Sequence, residues 1–156
     1  PVNNAIGQDY NALEEAKADI AGLHSLIYLM DKKVIDRKRE KEYFVSYLGS
    51  LFRSVRFGLG EAHGKAAAIS LNYLVANGGI LYDASTKRWS IDFPNFRAGV
   101  AKLAAELIRL EGAGDPPGVK EFFDRWITMT DPLETSLAVV SDIAIDVLPK
   151  YSIRWE

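Results

Sequence analysis

Cysteine is absent from this sequence, histidine occurs twice, methionine twice, and charge of one sign is not in excess. The missing cysteines exclude disulfides and thiolate metal sites and make a reducing compartment, the cytoplasm, the default expectation. With only His24 and His63, any imidazole chemistry is confined to two positions. No apolar run approaches the roughly 18 residues of a membrane span, and no signal peptide is legible at the start. A formal net charge of −2 gives no basis for nucleic acid or an anionic membrane surface as a partner. Repeats and low-complexity segments are also missing.

What remains is the composition of an ordinary globular domain. Apolar residues make up 48% and charged residues 26% of 156 positions, enough for a real core in one domain spanning 1–156. Because the first residue is Pro1 and the stretch to Asp9 is polar, that stretch reads as a loop entering from an upstream segment. The chain is therefore expected to be part of a larger protein.

Periodicity and punctuation predict a mainly α fold, a bundle of about six helices with one small β-hairpin. Asn11 is placed to cap a first helix running to about Met30, with Glu14 completing a capping box. After the charged link Asp31 to Lys41, Phe44, Tyr47, Leu48, Leu51, Phe52 and Val55 repeat at intervals of three and four. Gly58 and Gly60 interrupt this second helix, and a third spans Glu61 to Ala76, stopped by Asn77, Gly78 and Gly79. Residues 80–82 and 88–91 flank a polar turn and predict the hairpin. A fourth helix follows Pro94 to near Glu111, Gly112 to Gly118 reads as a loop, and a fifth helix covers Val119 to Met129. Asp131 and Pro132 open a sixth, carrying Leu133, Leu137, Val140, Ala144 and Val147 and ending before Pro149.

On a wheel of the first helix, advancing ~100° per residue, Glu15 and Asp19 fall within the arc of Ala12, Ala16, Ile20, Leu23, Ile27 and Met30. Two carboxylates four residues apart repel, and burying one unpaired costs several kcal/mol, so a positive partner is expected over this helix. Three arrangements satisfy that demand: a salt bridge to Arg53 or Arg56, a metal ion, or a solvated edge.

The stretch Leu13-Glu14-Glu15-Ala16-Lys17-Ala18-Asp19-Ile20-Ala21-Gly22-Leu23 resembles the second zinc motif of the dipeptidyl-peptidase III family, E-E-C-R-A-E/D with a following hydrophobic-Gly step. The resemblance implies that Glu15 is a zinc ligand and that Glu14 and Asp19 orient the histidines that complete the site. Ala16 and Lys17 depart from the family's Cys and Arg, neither of which binds metal there. The stretch Phe52 to Ala66 resembles the bacterial branch of the same family, where R-S-V-R-F-G leads into A-H-G-K-A. It implies an active-site role for His63, stabilising the transition state of peptide hydrolysis. Some members of that branch are called Nudix hydrolases because a Nudix domain is fused to them; no Nudix box occurs in this sequence.

The residues themselves leave blander readings open. His63 at a helix start, with Gly58, Gly60 and Gly64 about it, suits a cleft that admits a backbone or an anion. It equally suits a polar cap beside tightly packed helices. Arg53 and Arg56, three apart, suit a peptide carboxylate or a pairing with Glu15 or Asp19. His24 reads as structural or solvent-facing, and the aromatic residues as core.

A catalytic zinc needs about three protein ligands and an open position. The family takes two of them, with the general-base Glu, from an upstream HExxGH-type motif that this sequence does not contain. The expectation is thus the C-terminal helical part of a Zn2+ dipeptidyl-peptidase, acting on peptides together with the upstream remainder of the same polypeptide. Alone, the chain is expected to bind zinc weakly and to leave peptides uncut. The alternatives are an inactive relative serving as a peptide- or protein-binding scaffold, and a freestanding helical interaction module.

Overall fold

The structure is a computed structural model and describes residues 1–143. Among them are α1 (Val2–Ile6), α2 (Tyr10–Asp31), α3 (Glu40–Val55), α4 (Ala62–Ala76), α5 (Phe93–Ala113), α6 (Pro116–Trp126) and α7 (Asp131–Val139), with the hairpin β1 (Ile80–Asp83) and β2 (Arg88–Ile91). The expected mainly α fold, with helices two to seven as the six substantial ones and one antiparallel hairpin, is what the described residues form. The hairpin register pairs Ile80 with Ile91 and Tyr82 with Trp89.

The bundle is organised around α4. Ala66, Ala67, Ala68, Ile69, Ser70, Leu71 and Leu74 are all buried, so this helix is covered on nearly every side. Its alanines keep it thin, and α2, α3, α5 and α6 pack around it. The partners bring larger side chains to the same core: Leu13, Ile20 and Met30 from α2, Phe44 from α3, Phe96, Leu103 and Leu107 from α5. Truncating any of these large side chains to alanine removes packing worth about 2–5 kcal/mol.

Several boundaries differ from those expected. The opening segment is not a loop: α1 and a 3-10 turn over Gly7–Asp9 lead straight into α2, and Ile6 is buried. Because the helical backbone already continues through residues 9 and 10, Asn11 forms no cap, and Glu14 bonds Lys17 instead. The expected loop from 112 to 118 shrinks to Gly114 and Asp115. Gly114 takes the left-handed conformation (φ 57°) that ends α5, and Pro116 and Pro117 sit in the first turn of α6, where a missing N–H costs nothing. α6 stops at Trp126. Beyond it, the amide of Asn72 donates to the carbonyl oxygens of Trp126 and Thr128, 2.8 Å each, and pins the connection to α7 against α4. Thr130, not Asp131, precedes α7, which ends at Val139; Val140 follows it in a turn. The helical positions expected at Ala144 and Val147 lie outside the described residues.

The charged link between α2 and α3 is an ion-pair knot. Arg97 of α5 bonds both carboxylate oxygens of Asp31 (2.5 and 2.6 Å) and pairs with Glu40, while Arg37 reaches Glu40 at 3.2 Å. The end of α2 and the start of α3 are thereby tied to one guanidinium.

Candidate functional site

The glycine-flanked helix α4 and the carboxylate-bearing helix α2 meet at one point. Gly58, with φ of 89°, turns the chain sharply after α3, and α4 begins at Ala62. His63 is therefore in the first turn of α4, which lies against α2. Its Nδ1 is 2.6 Å from Oε1 of Glu15, the distance of an ion pair when the ring is protonated. The imidazole is 73% exposed and the Glu15 side chain 30% exposed, so the pair sits at the surface.

The wheel placed Glu15 and Asp19 within the buried arc; the structure places them at its margin. Leu13 is fully buried, which turns the centre of the α2 stripe away from both acids. Asp19 is exposed by surface area, yet its carboxyl is raised above the ordinary value. The cause is first desolvation by its surroundings, then the charge of Glu15 one turn earlier, with His63 acting in the opposite sense. Asp19 opens onto a crevice of about 430 Å³ between α2 and α3, walled by Gly22, Leu23, Leu26, Tyr43 and Tyr47. The phenol of Tyr47 is pushed up strongly, by burial above all. It neighbours the Ser70 hydroxyl, which acts on it in the lowering sense, although neither hydroxyl closes a hydrogen bond of ordinary geometry.

The other singled-out residues lie elsewhere. Glu14 faces α5: its carboxylate is 2.6 Å from Lys17, whose ammonium is 2.5 Å from Glu111, and Tyr10 completes the group. The Lys17 hydrogen bond holds Glu14 below its usual range. Arg53 is exposed near the end of α3 and is engaged by a neighbour. Arg56 donates through a terminal nitrogen to the carbonyl of Ile143, 2.9 Å away, and so fastens the segment after α7. His24 is exposed on α2. The partner that Glu15 finds among the described residues is thus His63, for which the sequence predicts a cleft but not this carboxylate. Helical spacing predicts Tyr43 and Tyr47 only as core, because it does not separate a core face from a groove wall.

A larger hollow of about 600 Å³ lies between α4, α5 and α6, lined by Tyr73, Glu106, Arg109, Arg125 and Trp126 among others. It includes neither Glu15 nor His63, and its charges are of both signs.

Among the described residues no three His, Asp or Glu side chains gather as a metal cage. The donor set nevertheless fits a share of one: Glu15 offers a hard carboxylate oxygen at the surface, Asp19 a second carboxyl on the next turn, and further ligands would have to come from outside these residues. No helix of the described residues is long and apolar enough to cross a membrane.

No family model matches the chain. Over 152 residues, 96% of its length, it is 34% identical to Nudix hydrolase 3 of Arabidopsis thaliana, of which it covers 20%. Among solved structures it is similar to dipeptidyl-peptidase III from Corallococcus sp. strain EGB, with 31% identity over 96% of the chain and a TM-score of 0.90. It is similar also to dipeptidyl-peptidase III from Caldithrix abyssi, with 28% identity over 94% and the same TM-score. The chain spans 28% of each of those two proteins. The resemblance, read from two motifs and more loosely through Tyr73 to Asp92, extends in backbone and in sequence over nearly the whole chain.

Proposed function

We propose that these residues form the part of a zinc-dependent dipeptidyl-peptidase that supplies one metal ligand and one wall of the substrate cleft. The observation that carries this reading is the 2.6 Å contact between Glu15 and His63. The two family-like motifs, 48 positions apart in sequence, meet through the very residues to which the resemblance assigns chemistry.

Glu15 would hold the zinc through its carboxylate, together with two histidines from the remainder of the polypeptide. Asp19, desolvated and one turn further along α2, would accept a hydrogen bond from one of those histidines and fix its ring. Glu14 would act more indirectly, keeping α2 in place through Lys17 and α5. When bound, zinc supplies a Lewis acid for the scissile carbonyl and an acidified water. His63, exposed at the start of α4 with Nδ1 against Glu15, would meet the oxygen on which negative charge develops through its second ring nitrogen, donating from it as the imidazolium, in which both nitrogens carry a proton. Arg53 and Arg56 would meet a carboxylate of the peptide. The intact protein would work in the cytoplasm.

The test is release of dipeptides from peptide N-termini by the intact protein and its His63→Ala variant. Loss of one oxyanion donor costs on the order of 10²–10³ in kcat, with zinc content unchanged. Equal rates for the two proteins, or no dipeptide release by either, would remove the peptidase reading.

A further inference from the structure

The loop that delivers His63 is built from two glycines that touch. Gly64 is buried in the first turn of α4. A Cβ built on it would run into the carbonyl oxygen of Gly58 and lie 3.1 Å from the carbonyl carbon. Those are backbone atoms, which cannot swing aside as the tip of a long side chain can. Gly58 in turn has φ of 89°, a conformation that side-chain-bearing residues rarely adopt. Its N–H is held by the Val55 carbonyl at 2.9 Å, so the turn is fixed to the end of α3. Gly60, in the same loop, behaves differently: its backbone is not in the left-handed region and a Cβ there would meet nothing within 4 Å.

We infer that Gly64, seated on the carbonyl of Gly58, is a positioning residue for His63: the close backbone contact sets the first turn of α4 at the height where Nδ1 of His63 reaches Glu15. The role it assigns within catalysis rests on the reading of His63 given above; the positioning itself does not. A methyl group at position 64 must push the loop and the first turn of α4 apart. His63 is the adjacent residue, and its 2.6 Å contact with Glu15 lengthens with any such displacement.

The protein carries a built-in reference for the experiment. Within residues 1–156 the histidines are His63 and the exposed His24. Long-range ¹H–¹⁵N spectra read which ring nitrogen of each carries a proton. A free neutral imidazole prefers its proton on Nε2, whereas donation to Glu15 requires it on Nδ1. The native chain should therefore show His63 in the Nδ1–H form and His24 in the Nε2–H form. Gly64→Ala should convert the His63 pattern to that of His24, matching Glu15→Ala, while circular dichroism still reports the helices. Gly58→Ala, which adds backbone strain without a collision, should shift the pattern in the same direction and less. Gly60→Ala should leave it as in the native chain.

If Gly64→Ala does not fold, Gly58→Ala against Gly60→Ala decides. The inference is overturned if the Nδ1–H form persists in the folded Gly64→Ala chain or is unmoved in Gly58→Ala, and equally if the native His63 is not in that form. None of these signals depends on zinc or on peptide cleavage. A failed peptidase assay with the predicted spectra removes only the catalytic reading, and the reverse result removes only the positioning.

Discussion

Lys17 of α2 stands 2.5 Å from Glu111 of α5, with side chains only 24% and 14% exposed. Burial pulls the ammonium downward, but hydrogen bonds with Glu111 and Glu14 outweigh it, so Lys17 holds its proton more firmly than a free lysine. The bridge ties the helix that bears Glu15 to the long helix behind it, two residues from the carboxylate.

Lys17→Met should therefore leave Glu111 half-buried without its cation and lower the unfolding free energy by about 1–3 kcal/mol. Lys17→Arg, the residue found in the resembling motif, should be close to neutral. Urea unfolding of the three chains measures this; equal midpoints for Met and Lys would show that the bridge adds nothing.

Asn72 clasps the α6–α7 connection to α4 through two 2.8 Å bonds to the carbonyls of Trp126 and Thr128. Asn72→Ala should cost about 1–3 kcal/mol, since both acceptors lose their donor. The loss should be accompanied by faster amide exchange at residues 127–130 than in α4. Uniformly unchanged exchange would contradict the assignment.

The hairpin turn has its own pH dependence. Asp83 accepts hydrogen bonds from the side chains of Ser85 (2.6 Å) and Thr86 (2.8 Å) and from their backbone N–H groups, in that order of effect, which holds its carboxyl down at about 2. The folded value lies below the unfolded one of roughly 3.9. The carboxylate's contribution is thus complete above that unfolded value and is lost as pH falls through about 2. A carboxyl ¹³C titration of Asp83 should have its midpoint near 2. A midpoint near 3.9 would mean that the turn does not hold the charge.

The helices were legible in the sequence wherever an apolar period ran unbroken: the stripe of α3 and the stop at Asn77, Gly78 and Gly79 need only local information. The ends were not, where local signals compete. Gly112 to Gly118 contains three glycines and two prolines and reads as a loop, yet one left-handed Gly114 suffices to end α5, and paired prolines are well suited to open α6. Asn11 looks like a cap only if the helix starts there, and the buried Ile6 decides otherwise. Of the candidate site, the wheel found that Glu15 and Asp19 need a positive or hydrogen-bonding neighbour. Naming that neighbour requires the crossing of α2 and α4, a tertiary fact that no periodicity carries. The same holds for Glu14, which is next to Glu15 in sequence but about 100° away around the helix, and so falls to α5.

The measurement that bears most directly on the central claim is the zinc content of the intact protein, with and without Glu15→Ala. If Glu15 is a ligand, the native protein holds about one zinc per chain after dialysis and the variant loses it. A native protein without zinc, or a variant that keeps it at unchanged affinity, would contradict the assignment of Glu15 and leave the bundle as a binding scaffold.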